Sequence, residues 1–217
     1  MAKMYRTGQF KGPLMRISYA WQMFKPREGK YGCTLIMPKA GDWSALQAAV
    51  VEVVKNQWGE KGADKWKADL IKTPFLDGES KQARHKETGD LHPGMGADVQ
   101  FIRVATGEKF PPRVFDPAMK RCSVLAAGSP YLLYEEDSCP SGSWGYPVLN
   151  AYAWHNDDSG DGVSFGIDML HVTKIAEGDE ILAGGEGSQA KPEAFFEAVN
   201  TGQGDGAKVE SAGDFFG

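Results

Sequence analysis

Eight cations and six aromatic rings share the first forty residues of the chain. Lys3, Arg6, Lys11, Arg16, Lys25, Arg27, Lys30 and Lys39 are interleaved with Tyr5, Phe10, Tyr19, Trp21, Phe24 and Tyr31, and Glu28 is the single acid among them. A solvated face ordinarily mixes signs, so one-sided charge of this kind calls for an anionic partner. Cations that follow phosphates and flat rings that stack on bases are what a flexible single strand of nucleic acid requires, each stack contributing ~1–3 kcal/mol. Arg16, Lys25, Arg27 and Lys30 are the candidate phosphate contacts. Tyr19 and Trp21 alternate with Met15 and Ile17 on what reads as a core face. Phe24 and Tyr31, which flank the basic stretch, are therefore the better stacking platforms.

The opposite charge sits at the other end. Residues 186–217 hold six acids (Glu186, Glu193, Glu197, Asp205, Glu210, Asp214) against Lys191 and Lys208, and they finish in Asp214, Phe215, Phe216, Gly217. An acidic segment carrying a pair of rings has the charge and the flat apolar groups of the ligand that the basic stretch would hold. It is expected to compete for that surface and, once released, to dock on partner proteins.

Other arrangements that could do chemistry are weaker. Asp157, Asp158 and Asp161 would be the carboxylates of a metal-dependent nuclease, but they lie in DDSGDG, which reads as a hairpin turn and lacks the spaced ligands of a calcium loop. His85, His92, His155 and His171 do not fall at zinc spacing with Cys33, Cys122 or Cys139. There is no GxSxG elbow, and GGEG and GQGDG have no following Lys-Ser or Lys-Thr. The expectation is a binding protein with no catalytic residues, metal or cofactor.

The elements that must position these residues read as mostly β. At 217 residues with net charge −5, the chain is long enough to bury roughly 70% of its unfolded surface in one domain. No run approaches the ~20 apolar residues of a membrane span, and three widely spaced cysteines without a CxxC pair point to a reduced, cytoplasmic setting. Alternation predicts a strand over 14–24 and a partner over 30–38, joined by a turn bearing Lys25, Arg27 and Lys30. A helix is expected from Asp42 to Gly59, with Leu46, Ala49, Val50, Val53, Val54 and Trp58 on one face. Residues 60–97 read as a long loop. Strands follow at 98–105, 111–116, 144–156 and 162–175. In the 144–156 segment, Tyr152 and Trp154 share a face with Asn150 and Val148, while Leu149, Ala151 and Ala153 take the other; either face could be core. Low apolar content predicts a disordered tail over 186–217. Short strands with one helix fit the OB-fold, a five-stranded Greek-key barrel. An exposed barrel edge would allow a homodimer.

RISYAWQMFKP (16–26), KYGCTLIMPK (30–39), LDGES (76–80), PPRVFDP (111–117) and the run from Ser141 to Gly185 together resemble the bacteriophage single-stranded DNA-binding proteins of OB-fold type, a family similar in plan to the replication binding proteins of short-tailed phages. The resemblance implies an OB-fold domain over 1–185, sequence-tolerant binding of single-stranded DNA, a role in phage replication or recombination in the host cytoplasm, and an acidic tail over 186–217. The residues read above as candidates for that binding are Arg16, Tyr19, Trp21, Phe24, Lys25, Arg27, Lys30 and Tyr31, with Tyr152 and Trp154. Related tails end on an aromatic residue, whereas here Gly217 follows Phe216. The rival non-enzymatic reading, a phage structural or accessory β-barrel protein, accounts for the strands but leaves the charge split unexplained.

Overall fold

The computed structural model describes residues 4–125, 132–134 and 138–182. In chain order the strands are β1 (Phe10–Lys11), β2 (Met15–Ser18), β3 (Lys30–Pro38), β4 (Ile71–Lys72), β5 (Leu76–Asp77), β6 (Val99–Gly107), β7 (Arg113–Phe115), β8 (Ser123–Leu125), β9 (Leu132–Tyr134), β10 (Trp144–Asn156) and β11 (Gly160–Lys174). Two helices, α1 (Ser44–Trp58) and α2 (Lys61–Lys67), lie between β3 and β4.

Five of the strands close a ring. Met15 and Arg16 of β2 pair with Gly145 and Trp144 of β10, and β2 also pairs antiparallel with β3. β3 pairs with β6 along its whole length, from Lys30↔Gly107 to Pro38↔Val99. β6 meets β11 in parallel at Val104↔Phe165, and β11 returns along β10 from Asn156↔Gly160 to Trp144↔Lys174. Numbered as barrel strands, the ring runs 1-2-3-5-4 and back to 1. This is the five-stranded Greek-key barrel of the OB-fold. The inward residues of all five strands fill it: Met15, Ile17, Leu35, Ile102, Val104, Leu149, Ala151, Val163 and Phe165 are 0–3% exposed.

α1 covers the barrel against β10 and β11 with the stripe Leu46, Ala49, Val50, Val53 and Val54, as its spacing predicts. Asp42 Oδ1 accepts the Ser44 N–H at 2.9 Å, satisfying one of the orphan donors of the first turn. The predicted loop over 60–97 contains more structure than its composition suggested, including α2, β4, β5 and a 3₁₀ turn at Lys81–Ala83. Among the described residues there are thus two α-helices where one was expected. α2 packs onto α1 because Gly62 has no side chain: a Cβ there would stand 2.6 Å from the Val54 carbonyl oxygen. The rest of the segment folds over the outer face of β3 and β6, where Ile36, Ala83 and Phe101 form a second small core closed by Leu76, Leu91, Met95, Val99 and Leu182. Cys33, Cys122 and Cys139 are buried free thiols, and burial pushes the Cys33 and Cys139 pKa values up.

The predicted strand over 14–24 stops at Ser18. Tyr19 adopts a left-handed conformation (φ 56°), and Ala20–Met23 form a 3₁₀ turn. Here the Ala20 N–H is donated to Ser141 Oγ at 3.0 Å instead of to a strand. The change of period moves Ala20, Met23 and Phe24 into the core and leaves Tyr19 and Trp21 half-buried. They do not continue the Met15 and Ile17 face.

Candidate nucleic-acid interface

β10 resolves the choice between its two faces. Gly145, Pro147, Leu149, Ala151 and Ala153 are buried, whereas Trp144, Tyr146, Val148, Asn150, Tyr152 and Trp154 point outward and are partly exposed. The outer face is therefore rich in rings, and a cation stands by three of them. Arg6 pairs with Tyr152 as an isolated bridge; its guanidinium lies 4.8 Å from the ring centroid and donates to Asn150 Oδ1 at 3.1 Å. Lys11 Nζ is 4.0 Å from the Tyr146 centroid, and Lys72 Nζ is 6.0 Å from that of Trp154. Such pairs hold a cation beside a flat ring at a fixed place. Burial pushes the Tyr152 hydroxyl pKa up, against the pull of Arg6 and of a hydrogen bond with Ser164.

Trp154 lies flat on β11. Its register partner is Gly162, and a Cβ on that glycine would stand 2.2 Å from Cζ2 of the indole. Nε1 donates to Ser164 Oγ at 2.9 Å. Only a glycine lets the ring settle onto the backbone, with the hydrogen bond fixing its rotation.

Arg103 carries this surface toward the basic turn. Val104 and Phe165 pair with their side chains inward, so Ser164 and Arg103, which precede them, both lie outside. Arg103 is exposed and donates to the Gln82 carbonyl at 2.8 Å. Beyond it is Tyr19, whose hydroxyl is 2.9 Å from His92 Nδ1. Burial raises the Tyr19 pKa, opposed by Arg103 and Arg27. His92 is held below the usual histidine range by burial, by His85 and by Arg103, against a hydrogen bond with the Arg84 backbone. His85 and His92 meet edge to face at 6.0 Å.

Lys25, Arg27 and Lys30 are exposed on the turn between the first and second barrel strands. The turn is fixed by reciprocal backbone hydrogen bonds, Arg27 N–H to the Lys30 carbonyl at 2.9 Å and Lys30 N–H to the Arg27 carbonyl at 3.0 Å. Glu28 lies 3.9 Å from Arg27, but both are solvent-exposed, so the pair is weak. In OB-folds this loop is one of the places where oligonucleotides bind; the outer face of strands 2 and 3, another such place, is here covered by the second small core around Ala83 and Phe101.

Several expected site residues sit elsewhere. Phe24 (3% exposed) and Tyr31 (1%) are in the core, the first because the 3₁₀ turn carries it inward, the second because it shares the inward parity of Cys33 and Leu35 on β3. Neither offers a ring face to a base. Arg16 donates from Nη2 to the Glu180 carbonyl at 2.8 Å and from Nε to the Gly142 carbonyl at 3.3 Å. It clamps β2 to the segments around 142 and 180 and is not grouped with the turn cations. Trp21 is half-buried in the 3₁₀ turn. Asp214, Phe215 and Phe216 lie outside the described residues.

The nuclease candidates are placed by structure. Asp161 accepts from Trp58 Nε1 at 3.0 Å and Lys65 Nζ at 3.2 Å, and pairs with His155 Nδ1 at 2.8 Å. Burial alone would raise its pKa, but the His155 and Lys65 hydrogen bonds hold it below the usual range. This network ties the β10–β11 hairpin to α1 and α2. Asp157 and Asp158 are exposed on the turn. Among the described residues, no group of three or more His, Cys, Asp or Glu side chains is placed to hold a metal ion.

Lys72, Arg103 and Tyr146 join the surface without having stood out in the sequence, and Arg6 and Lys11, two of the eight N-terminal cations, join it without having been among the four candidate phosphate contacts. The alternation of WGYPVLNAYAW contains Tyr146, but the cations arrive from four other segments, and only the register shows which ring each one meets.

The chain matches the family model described as Enterobacter phage Enc34, ssDNA-binding protein, over residues 11–205. It is similar in fold to the single-stranded DNA-binding protein from bacteriophage Enc34 (18% identity, TM-score 0.53, spanning 87% of this chain and 90% of the other) and to the same protein in complex with ssDNA (17%, 0.50, 79% and 89%). A weaker likeness is to gp2.5, a single-stranded DNA-binding protein encoded by bacteriophage T7 (15%, 0.48, 90% and 99%). Comparison with curated protein sequences gives no significant match.

Proposed function

We propose, from the premise that this chain belongs to the Enc34 family of phage single-stranded DNA-binding proteins, that it binds single-stranded DNA without sequence preference across the outer face of β10 and β11, past Arg103 of β6, to the adjoining basic turn. It acts as a binding protein and not as a catalyst. The observation that carries the reading is the set of outward rings on β10 with cations beside them, Tyr146 with Lys11, Tyr152 with Arg6 and Trp154 with Lys72. Every base has a π-face, so rings of this kind tolerate any sequence. Arg103, Lys25, Arg27 and Lys30 extend the phosphate path toward the turn.

The acidic segment 186–217 competes with DNA for this surface and, once displaced, docks through Asp214, Phe215 and Phe216 on replication proteins such as a polymerase or helicase. The setting for this work is the host cytoplasm. No helix among the described residues is long and apolar enough to cross a membrane.

Titration of a fluorescent oligonucleotide at several salt concentrations tests the reading. Phosphate neutralisation releases counterions, so log affinity is expected to fall linearly with log salt, by about 0.7 per phosphate contacted. Salt-insensitive binding, or equal affinity for duplex, would overturn it.

A further inference from the structure

We infer that Phe110, on the turn after β6, is a base-stacking finger at the basic end of the DNA surface. The inference rests on the single-stranded DNA reading above and adds a contact that the sequence did not single out. Phe110 is 73% exposed, the highest value among the large hydrophobic residues described. A single exposed ring is ordinary on a protein surface, so a role for it needs an argument from its neighbours.

Its surroundings supply one. The turn that carries it is joined to the basic turn: Lys30 pairs with Gly107, and the Glu108 N–H is donated to the Gly29 carbonyl at 3.0 Å. Phe110 therefore stands beside Lys25, Arg27 and Lys30, and Lys109 precedes it directly. These four cations face two acids, Glu28 and Glu108, and all six are exposed. A protruding ring within a net positive cluster suits a nucleobase whose phosphates are held alongside. It suits an apolar protein surface poorly, because docking there would require the cations to be desolvated.

The backbone that carries the ring is also held in place. The Phe110 N–H is donated to the Gly107 carbonyl at 2.8 Å. Pro111 follows, restricting the Phe110 backbone to extended conformations, and Pro112 is buried. A pre-organised backbone loses little freedom on binding. With Phe24 and Tyr31 withdrawn into the core, Phe110 is the exposed ring at this end. Gly162, the partner of Trp154, lies three residues before Phe165 on β11, Phe165 is level with Val104, and β6 runs three residues further to Gly107, about 20 Å in all at ~3.3 Å per residue. Trp154 and Phe110 thus mark opposite ends of the surface.

The test compares the full-length parent chain with Phe110→Ala, Phe110→Trp and Lys109→Ala, using an oligothymidylate and an abasic oligonucleotide of equal length. Phe110→Ala is expected to bind oligothymidylate about 5- to 150-fold more weakly, the loss of one stack, with the salt slope and melting temperature of the parent. Phe110→Trp is expected to restore affinity and to show quenching of the new indole on binding. Lys109→Ala is expected to lower the salt slope. On the abasic strand, Phe110→Ala and the parent are expected to bind equally. Parental affinity for oligothymidylate in Phe110→Ala, with the parent binding normally, overturns the finger and leaves the function standing. A change in sedimentation mass in Phe110→Ala without a change in DNA affinity assigns the ring to a contact between two copies and likewise overturns the inference. Failure of the parent itself to bind overturns both.

Discussion

Trp154 and Gly162 face each other across the β10–β11 hairpin so closely that a Cβ on the glycine would stand 2.2 Å from indole Cζ2 and 2.4 Å from Cε2. The platform is thus made by two residues, one supplying the ring and the other its seat. Gly162→Ala is expected to lift the indole and to break the Nε1 hydrogen bond to Ser164. A shifted tryptophan emission and weaker binding of single-stranded DNA should follow. Trp154→Ala removes the stack itself and should cost ~1–3 kcal/mol of affinity, read by fluorescence anisotropy. Parental affinity in both variants would remove Trp154 from the interface.

The basic turn makes a different contribution. Replacing Lys25, Arg27 and Lys30 together by alanine is expected to lower the slope of log affinity against log salt by roughly 2, at about 0.7 for each phosphate no longer neutralised. The melting temperature should hold, because these side chains are exposed. Arg16→Ala is expected to behave in the opposite way: without the clamp to the Gly142 and Glu180 carbonyls the melting temperature falls while the salt slope stays.

Phe24 and Tyr31 belong to the core, so their truncation is a stability experiment. Phe24→Ala is expected to destabilise by ~3–5 kcal/mol, as large-to-small changes at buried rings do, and Tyr31→Ala should have a comparable effect. Denaturant unfolding measures both. A variant that folds normally but binds DNA poorly would return either ring to the interface.

The barrel was legible because its inward positions alternate: WGYPVLNAYAW and GVSFGIDML read as strands from their own letters, and the helix stripe from Leu46 to Val54 did too. The basic turn was legible from charge. Tyr31 was misread against its own alternation with Cys33 and Leu35 on β3, and Phe24 because sequence spacing cannot show that the chain leaves the strand at Tyr19, a departure set by Ser141, more than a hundred residues away, taking the Ala20 N–H. The pairing of Arg6 with Tyr152 and of Lys72 with Trp154 was hidden for the same reason: it exists only in the register of segments far apart in the chain.

His92 gives the fold a pH dependence whose direction can be worked out. Its folded pKa lies below the ordinary histidine value, first through burial and then through His85 and Arg103, so the unfolded chain binds the proton more readily. Stability from the neutral ring is fully present above the unfolded pKa of ~6.5 and is lost as pH falls from there toward the folded value. The melting temperature is expected to drop between about pH 7 and pH 5, and His92→Gln should flatten that part of the profile. An unchanged profile in the variant would place the titration elsewhere.

Residues 186–217 carry six acids against two cations and include the adjacent rings Phe215 and Phe216, while the outer surface of the barrel carries cations beside rings. The two are complementary in the same terms as DNA and protein. Tethering places the acidic segment at high effective concentration, yet exposed charges are screened within ~8–10 Å at physiological salt, so the competition should be modest and strongest in dilute buffer. A chain ending at Gly185 is expected to bind single-stranded DNA more tightly than the parent at low salt, with the difference closing as salt rises. It should also cease to associate with replication proteins. The double substitution Phe215→Ala, Phe216→Ala separates charge from rings: retained competition with DNA together with a failed pull-down of a polymerase or helicase assigns the rings to docking. Retained pull-down would assign the docking to the acids. Weaker DNA binding on truncation would make the segment a DNA contact and end the competition reading.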